Sequence, residues 1–499
     1  MRVFKSFFLA VILVAASVNL FASSTSRYPS VEPLFIPELE LGYIPAKNLN
    51  ADEVFKLSLL FSECPLRSVS GRRALQKFER IKKEVSSQEY MRMSEEERGK
   101  AVLTLLYRDI LVEYREDQSK VHVVFETGYY NCVSSALIYM AAAKAAGLDV
   151  RGQKTPAHAF CTVVITDKAT GWKRRIDVET TNPYGFNPGS TGVVDSGENM
   201  KMYYVVPESD YSDRQEVSDK VFTGLIANNL CVDYLDNNDY FSAIPSMGAF
   251  YNLIKNEKST VQQQIRDDFF GLPCSYMHDK TADISSCTAS EYAEATMWFA
   301  SFIERWGKTE MIQSNMDSAF NNLIFLCYQE RAYDLAETAS KELKPYVSAK
   351  QFSDSQEIIM ELLIATKLDG ATPRQKTDII NGMLDSGNVT ETQRKRLLLE
   401  LENAWLTILN ERINNYDFRG GYEDSLLAEK QVPTSDTFKQ TTQIFYTNCI
   451  VEIHNNFVMK ANAGKYKEAK TILEQGLNDF PDDKTLLNDL ALLKSAGIQ

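Results

Sequence analysis

Hydrophobic positions recur at helical spacing along most of this 499-residue chain, with one short stretch that breaks the pattern. From Asp52 to Tyr114, Val54, Leu57, Leu60 and Phe61 share one helix face. Ser94-Glu-Glu-Glu-Arg reads as an N-cap with an acidic first turn, ahead of Val102, Leu103, Leu105, Leu106 and Ile110. Val121-His-Val-Val-Phe125 reads instead as a short strand. Val133, Ala136, Leu137, Tyr139, Met140, Ala143 and Ala146 give apolar cover on most sides, so residues 132–147 are expected as a buried helix stopped by Gly147. Strand-like runs follow at Ala159–Thr166 and Trp172–Thr180, joined by the turn-forming Thr166-Asp-Lys-Ala-Thr-Gly171. A third run, Met202-Tyr-Tyr-Val-Val206, is expected to close the sheet. The centre of the chain thus predicts an α+β core, a helix followed by an antiparallel sheet.

Beyond residue 207 the period is helical nearly to the end. Tyr and Ala share one register after a polar turn at three places: Tyr240 with Ala243, Tyr333 with Ala336, and Tyr466 with Ala469. The last, Ala463-Gly-Lys-Tyr-Lys-Glu-Ala-Lys continuing to Phe480-Pro481, resembles a tetratricopeptide unit. The intervals, 240 to 333 and 333 to 466, share no clean period. An all-α array of degenerate helical hairpins is expected over 207–499, behind a core domain at 51–206 and an extended lead-in at 23–50.

Residues 1–22 read as a secretory signal peptide: Arg2 and Lys5, then an apolar run from Phe7 to Val18, then Leu20-Phe-Ala22 before Ser23. The apolar run is shorter than the roughly 20 residues of a spanning helix. Export to a bacterial periplasm or the exterior is expected, with an uncleaved anchor as the alternative and no span in the mature chain. At 44% apolar and 24% charged residues the composition is that of a globular protein. A net charge of −13 argues against a nucleic-acid partner. The eight cysteines contain no CxxC; only Cys274 and Cys287 are spaced as a candidate bridge, and most of the cysteines read as small core residues. Four histidines without a ligand cluster leave no metal site or cofactor to expect.

The candidate chemistry lies in the central stretch. Cys132 stands where Gly128-Tyr-Tyr-Asn gives way to the helix, and a helix N-terminus favours a thiolate. His158 would act as its base and then as acid towards the leaving group. The midpoint between His158 and Asp177 falls inside the turn, so the two can face each other across a hairpin, with Asp177 orienting the imidazole. Glu179, two residues on, is a rival if the register slips. Strand parity points Cys161 to the other face. Tyr130 and Trp172 are candidate substrate contacts, and Lys173-Arg-Arg175 reads as a solvated strand stretch.

In order and spacing, Cys132, His158 and Asp177 resemble the transglutaminase-like superfamily, which has a papain-like core, including its bacterial branch joined to tetratricopeptide-type helices. The resemblance covers fewer than 100 residues, from about 94 to 180. It departs where the family often has glycine two residues before the cysteine and this chain has Tyr130. It implies an exported cysteine enzyme with a Cys-His-Asp triad acting on amide bonds of protein or peptide substrates, and hydrolysis, as a peptidase or amidase, is preferred over cross-linking. The C-terminal helices would bind a protein partner. The alternative is a catalytically inactive scaffold or binding protein of the cell envelope, which the length of the helical part favours.

Overall fold

The computed structural model describes residues 27–44, 48–166, 170–188, 213–281, 284–387 and 389–495. The segment expected as a signal peptide and the strand expected at 202–206 lie outside them. The chain is mostly helical with a small antiparallel sheet, and it divides into two compact units, Met1–Ala319 and Phe320–Gln499.

In the first unit, α1 (Pro37–Leu41), α2 (Ala51–Phe61), α3 (Val69–Val85), α4 (Gln88–Arg92) and α5 (Glu95–Asp109) lead into the two-residue strand β1 (Glu113–Tyr114). Asn50 and Ser94 close capping boxes at the starts of α2 and α5. Next come α6 (Val121–Thr127), β2 (Tyr129–Tyr130) and α7 (Cys132–Ala145). The strand expected at 121–125 is therefore a helix. Val121, Val124 and Phe125 are its buried residues, and that spacing fits a period of 3.6 rather than 2. Helix α7 is buried from Val133 to Ala143 on every side, as its uniform apolar sequence requires, and the chain leaves it through Gly147 at φ +76°.

Strands β3 (Asp149–Lys154), β4 (Ala159–Thr166), β5 (Lys173–Val178) and β6 (Gln215–Val217) form one antiparallel sheet in the order β5-β4-β3-β6. The polar sequence of β3 hides its strand character. Only Val150 is a buried large apolar residue, and Gly152 is there because a Cβ would come within 2.4 Å of Phe222. Cys161, opposite Gly152, sends its thiol to the Ala136 carbonyl of α7 at 3.4 Å, which confirms its parity.

Helices α8 (Asp219–Asp236), α9 (Tyr240–Ile254), α10 (Thr260–Lys280) and α11 (Ala289–Trp306) complete this unit. Phe222 of α8 lies on Gly152 of the sheet, and Phe250 of α9 meets Phe61 of α2 with ring centroids 6.0 Å apart. Lys144, partly buried, and Asp219, buried, form an ion pair at 2.8 Å. These contacts tie helices beyond the expected boundary at 206 to the core, and the two compact units divide at 319. The described part of the lead-in is pinned as well: Trp298 Nε1 donates to Pro29 O and Trp306 Nε1 to Val31 O, each at 2.7 Å. All eight cysteines are unpaired. Cys274 is buried within α10, bonded to the Phe270 carbonyl at 3.6 Å, and the candidate bridge to Cys287 is not formed.

After α12 (Glu310–Glu330), the second unit continues with α13 (Tyr333–Leu343), α14 (Ala349–Leu368), α15 (Pro373–Asp385), α16 (Glu391–Asn414), α17 (Phe418–Gln431), α18 (Asp436–Asn462), α19 (Tyr466–Asp479) and α20 (Lys484–Ser495). Trp405, Leu401, Phe438 and Phe445 anchor one cluster; Phe457, Leu473 and Leu486 anchor the next.

The Tyr–Ala register marks one recurring turn. In each case a residue at positive φ (Asn238, Arg331, Gly464) stands two before the Tyr that opens a helix, and the Ala three residues on is fully buried. The residue after the positive φ donates its N–H five residues back, at 2.7 to 3.0 Å. A fourth copy, at Tyr416, opens α17 with Phe418 and places Gly421 where the others have Ala. A Cβ on Gly421 would lie 2.1 Å from Phe445.

Candidate active site

The geometry starts at Asn131, the N-cap of α7. Its Oδ1 accepts the N–H groups of Val133 and Ser134, both at 3.0 Å, and its own N–H donates to Ser134 Oγ at 2.9 Å. Its Nδ2 donates to Ser119 Oγ at 2.7 Å and to the Glu116 carbonyl at 3.0 Å. Ser135 N–H is taken by the Asn131 carbonyl at 3.1 Å. Cys132 is thereby held half-buried at the first turn, and its own N–H has no acceptor among the described residues.

The loop before it is packed tightly. Gly128 sits at φ +80°, where a Cβ would come within 2.3 Å of Val112, so only glycine fits. Tyr130 is fully buried, with its hydroxyl 3.0 Å from that of Tyr107. Tyr107 in turn donates to the Thr180 carbonyl at 2.9 Å. Tyr130 is therefore a strut between the loop and the end of β5, not a substrate contact. Its ring fills the space that a glycine two residues before the cysteine would leave open.

His158 lies at the start of β4, with its N–H donating to Thr155 Oγ1 at 3.0 Å and its ring stacked on Phe160. Its Nε2 is 2.7 Å from Glu179 Oε2, and both side chains are almost wholly buried. A second hydrogen bond links the ring to the Cys132 thiol. Glu179 Oε1 accepts from Thr181 N–H at 3.0 Å and Thr181 Oγ1 at 2.7 Å, so neither carboxylate oxygen is idle. The Glu179 backbone is bracketed by Gly185, whose carbonyl accepts the Glu179 N–H at 2.7 Å and where a Cβ would meet the Glu179 carbonyl at 1.9 Å.

Asp177 is engaged elsewhere. The hairpin register sets Asp177 opposite Thr162, four residues along β4 from His158, because the turn is centred later than the midpoint of 158 and 177. Its carboxylate accepts Thr162 Oγ1 at 2.7 Å and is gripped by Arg214 at 2.6 and 2.9 Å. The expected opposition of His158 and Asp177 is thus replaced by a bond from His158 to Glu179. Trp172 is 80% exposed at the turn end of the hairpin, about 25 Å along the strand from His158, and takes no part in the site.

Charge follows the geometry. Burial pulls the His158 pKa down, but its hydrogen bonds to Cys132 and Glu179, and their charges, outweigh that and raise it from 6.5 to about 10. Burial would raise the Asp177 carboxyl; the bonds from Arg214 and Thr162 overcome it and hold the carboxyl below its usual range. Burial, with the charges of Glu179 and Asp219 adding to it, pushes the Cys161 thiol well up, which makes it a poor nucleophile.

No family model matches the chain. No curated protein and no solved structure matches it either. Among the described residues, no group of three His, Cys, Asp or Glu side chains is placed to hold a metal, and no helix is long and apolar enough to cross a membrane. Asn131 and Ser119 escaped the reading of the sequence. An Asn directly before the cysteine and a Ser two residues after the cysteine are a capping-box pattern that could have flagged the first of them.

Proposed function

We propose that this chain is an exported, transglutaminase-like cysteine enzyme that hydrolyses amide bonds in protein or peptide substrates, with Cys132 as nucleophile, His158 as acid and base, and Glu179 in the place expected of Asp177. The observation that carries this reading is the double engagement of His158, to the thiol on one side and to a buried, fully bonded carboxylate on the other. A histidine kept only for packing would not need both.

His158 holds the proton of the pair from the start, and the Cys132 sulfur attacks the amide carbonyl carbon. Charge develops on the carbonyl oxygen, for which the unclaimed Cys132 N–H is a donor. The C–N bond breaks as His158 returns the proton to the leaving amine, leaving a thioester on Cys132. Water, deprotonated by His158, then attacks the thioester, releasing a carboxylic acid and the thiol. Glu179 fixes the ring orientation and stabilises the imidazolium in both halves. Hydrolysis is preferred to cross-linking because nothing described around Cys132 excludes water. Export rests on the sequence of residues 1–22.

The test is alkylation by iodoacetamide at neutral pH, followed by mass spectrometry of the Cys132 peptide. Cys132 should react faster than an unperturbed thiol, and His158→Ala should remove the excess. An ordinary rate that His158→Ala leaves unchanged would remove the basis for an enzyme. Hydrolysis and cross-linking separate when peptide amides are incubated with the protein in the presence of lysine: a free acid product supports hydrolysis, and an isopeptide product overturns it.

A further inference from the structure

A polar chain, buried at Ser119 and Asn131, reaches the nucleophile from outside the helix and sheet that carry it. Ser119 Oγ, only 2% exposed as a residue, accepts Asn131 Nδ2 at 2.7 Å and Asn229 Nδ2 at 3.0 Å. Asn131 precedes Cys132, whereas Asn229 lies 110 residues beyond Ser119 on α8, the first helix of the first Tyr–Ala hairpin. Ser134 Oγ donates to the Gln118 carbonyl at 2.8 Å, a second tie to the same loop.

This arrangement sorts the amides of the first turn of α7. Asn131 Oδ1 claims Val133 and Ser134, the Asn131 carbonyl claims Ser135, and Cys132 N–H alone remains. A helix start normally leaves several donors to compete for water or an anion. Here one is reserved, and its direction depends on the Asn131 backbone, which is held through Nδ2 by Ser119 and Glu116. Small errors in aiming such a donor are costly, because it must meet the oxygen of the transition state rather than that of the substrate.

We infer that Asn131, Ser119 and Asn229 are positioning residues that aim the Cys132 N–H at the developing oxyanion, so that the first helical hairpin belongs to the catalytic apparatus. The inference rests on the amide-cleaving role proposed for Cys132. It predicts a split between two reactions of one thiol. Alkylation by iodoacetamide displaces iodide and develops no oxyanion. Acylation by p-nitrophenyl acetate forms a thioester, expels nitrophenolate and passes through a tetrahedral oxyanion.

The experiment measures both rates on the full mature chain for wild type, Ser119→Ala, Asn229→Ala and Asn131→Ser, which keeps a capping oxygen but loses the amide donor. Thermal melting checks that each is folded, and Asn229→Ala, outside the loop and helix that hold Cys132, serves if the cap variants do not fold. Acylation should fall about tenfold or more in Ser119→Ala and Asn131→Ser, and less in Asn229→Ala, while alkylation stays within about threefold. Parallel loss of both rates, or unchanged acylation in folded variants, would overturn the positioning role and leave the proposed enzyme standing. If wild type gave no nitrophenolate burst dependent on Cys132, the enzyme reading and this inference would fall together.

Discussion

Each unit of the molecule holds one histidine bonded to one carboxylate, and they do different things. His158 and Glu179 are 2.7 Å apart with side-chain exposures of 2% and 5%; His454 and Asp489 are 2.6 Å apart, but His454 is 39% exposed. Each has a cysteine nearby in sequence or space. Cys132 is half-exposed at a helix start and bonded to His158. Cys449 is turned into the cluster of Phe457, Leu473 and Leu486, where burial pushes its thiol up to about 11. The residue types alone therefore do not make a site. What differs is that the first pair is buried on both sides and its imidazole also bonds the thiol.

The largest expected effect that sharpens this contrast is on stability. Glu179→Gln leaves a buried imidazolium without its partner and should cost about 3–5 kcal/mol. Because the folded His158 pKa is raised, from 6.5 to about 10, the contribution of the pair is complete below about pH 6.5 and is lost as pH rises through about 10. Urea unfolding of wild type and variant should show the gap shrinking between those two values. A gap that widened with pH would mean that His158 is buried neutral.

Next in size, Cys132 should be alkylated about a hundredfold faster than Cys449 at neutral pH, read by mass spectrometry of the two peptides. Equal rates would erase the distinction between the units. Gly421→Ala, which forces a Cβ to within 2.1 Å of Phe445, should destabilise the second unit by about 1–3 kcal/mol in thermal unfolding without changing the labelling of Cys132. The smallest effect belongs to Asp489→Asn. Its partner is partly solvated, so the loss should stay within about 1 kcal/mol by urea unfolding. A cost as large as that of Glu179→Gln would show that burial is not what separates the two pairs.

Much of this was legible in the residues. The apolar run after Cys132 gave its helix almost to the residue, and the turn chemistry at Thr166–Gly171 gave the hairpin. Hairpin register was not legible. The turn centre decides it, and moving that centre by two residues takes Asp177 from opposite His158 to opposite Thr162 while Asp177 and Glu179 stay on one face. Tyr130 misled because a tyrosine beside a cysteine suits a groove and a strut equally, and only the Tyr107 hydroxyl distinguishes them. Val121–Phe125 has strand propensity, which packing of a helix face overrode. The fourth hairpin turn stayed hidden because Phe418 and Gly421 replace the Tyr and Ala that mark the other three.

The central claim is that His158 is oriented by Glu179 and not by Asp177. The most direct measurement is the rate of the p-nitrophenyl acetate burst in wild type, Glu179→Gln and Asp177→Asn under one condition of pH and salt. Glu179→Gln should lose about a hundredfold or more, since it removes the carboxylate that holds the imidazolium, while Asp177→Asn should stay within about threefold. The opposite order, with Asp177→Asn inactive and Glu179→Gln near wild type, would contradict the account.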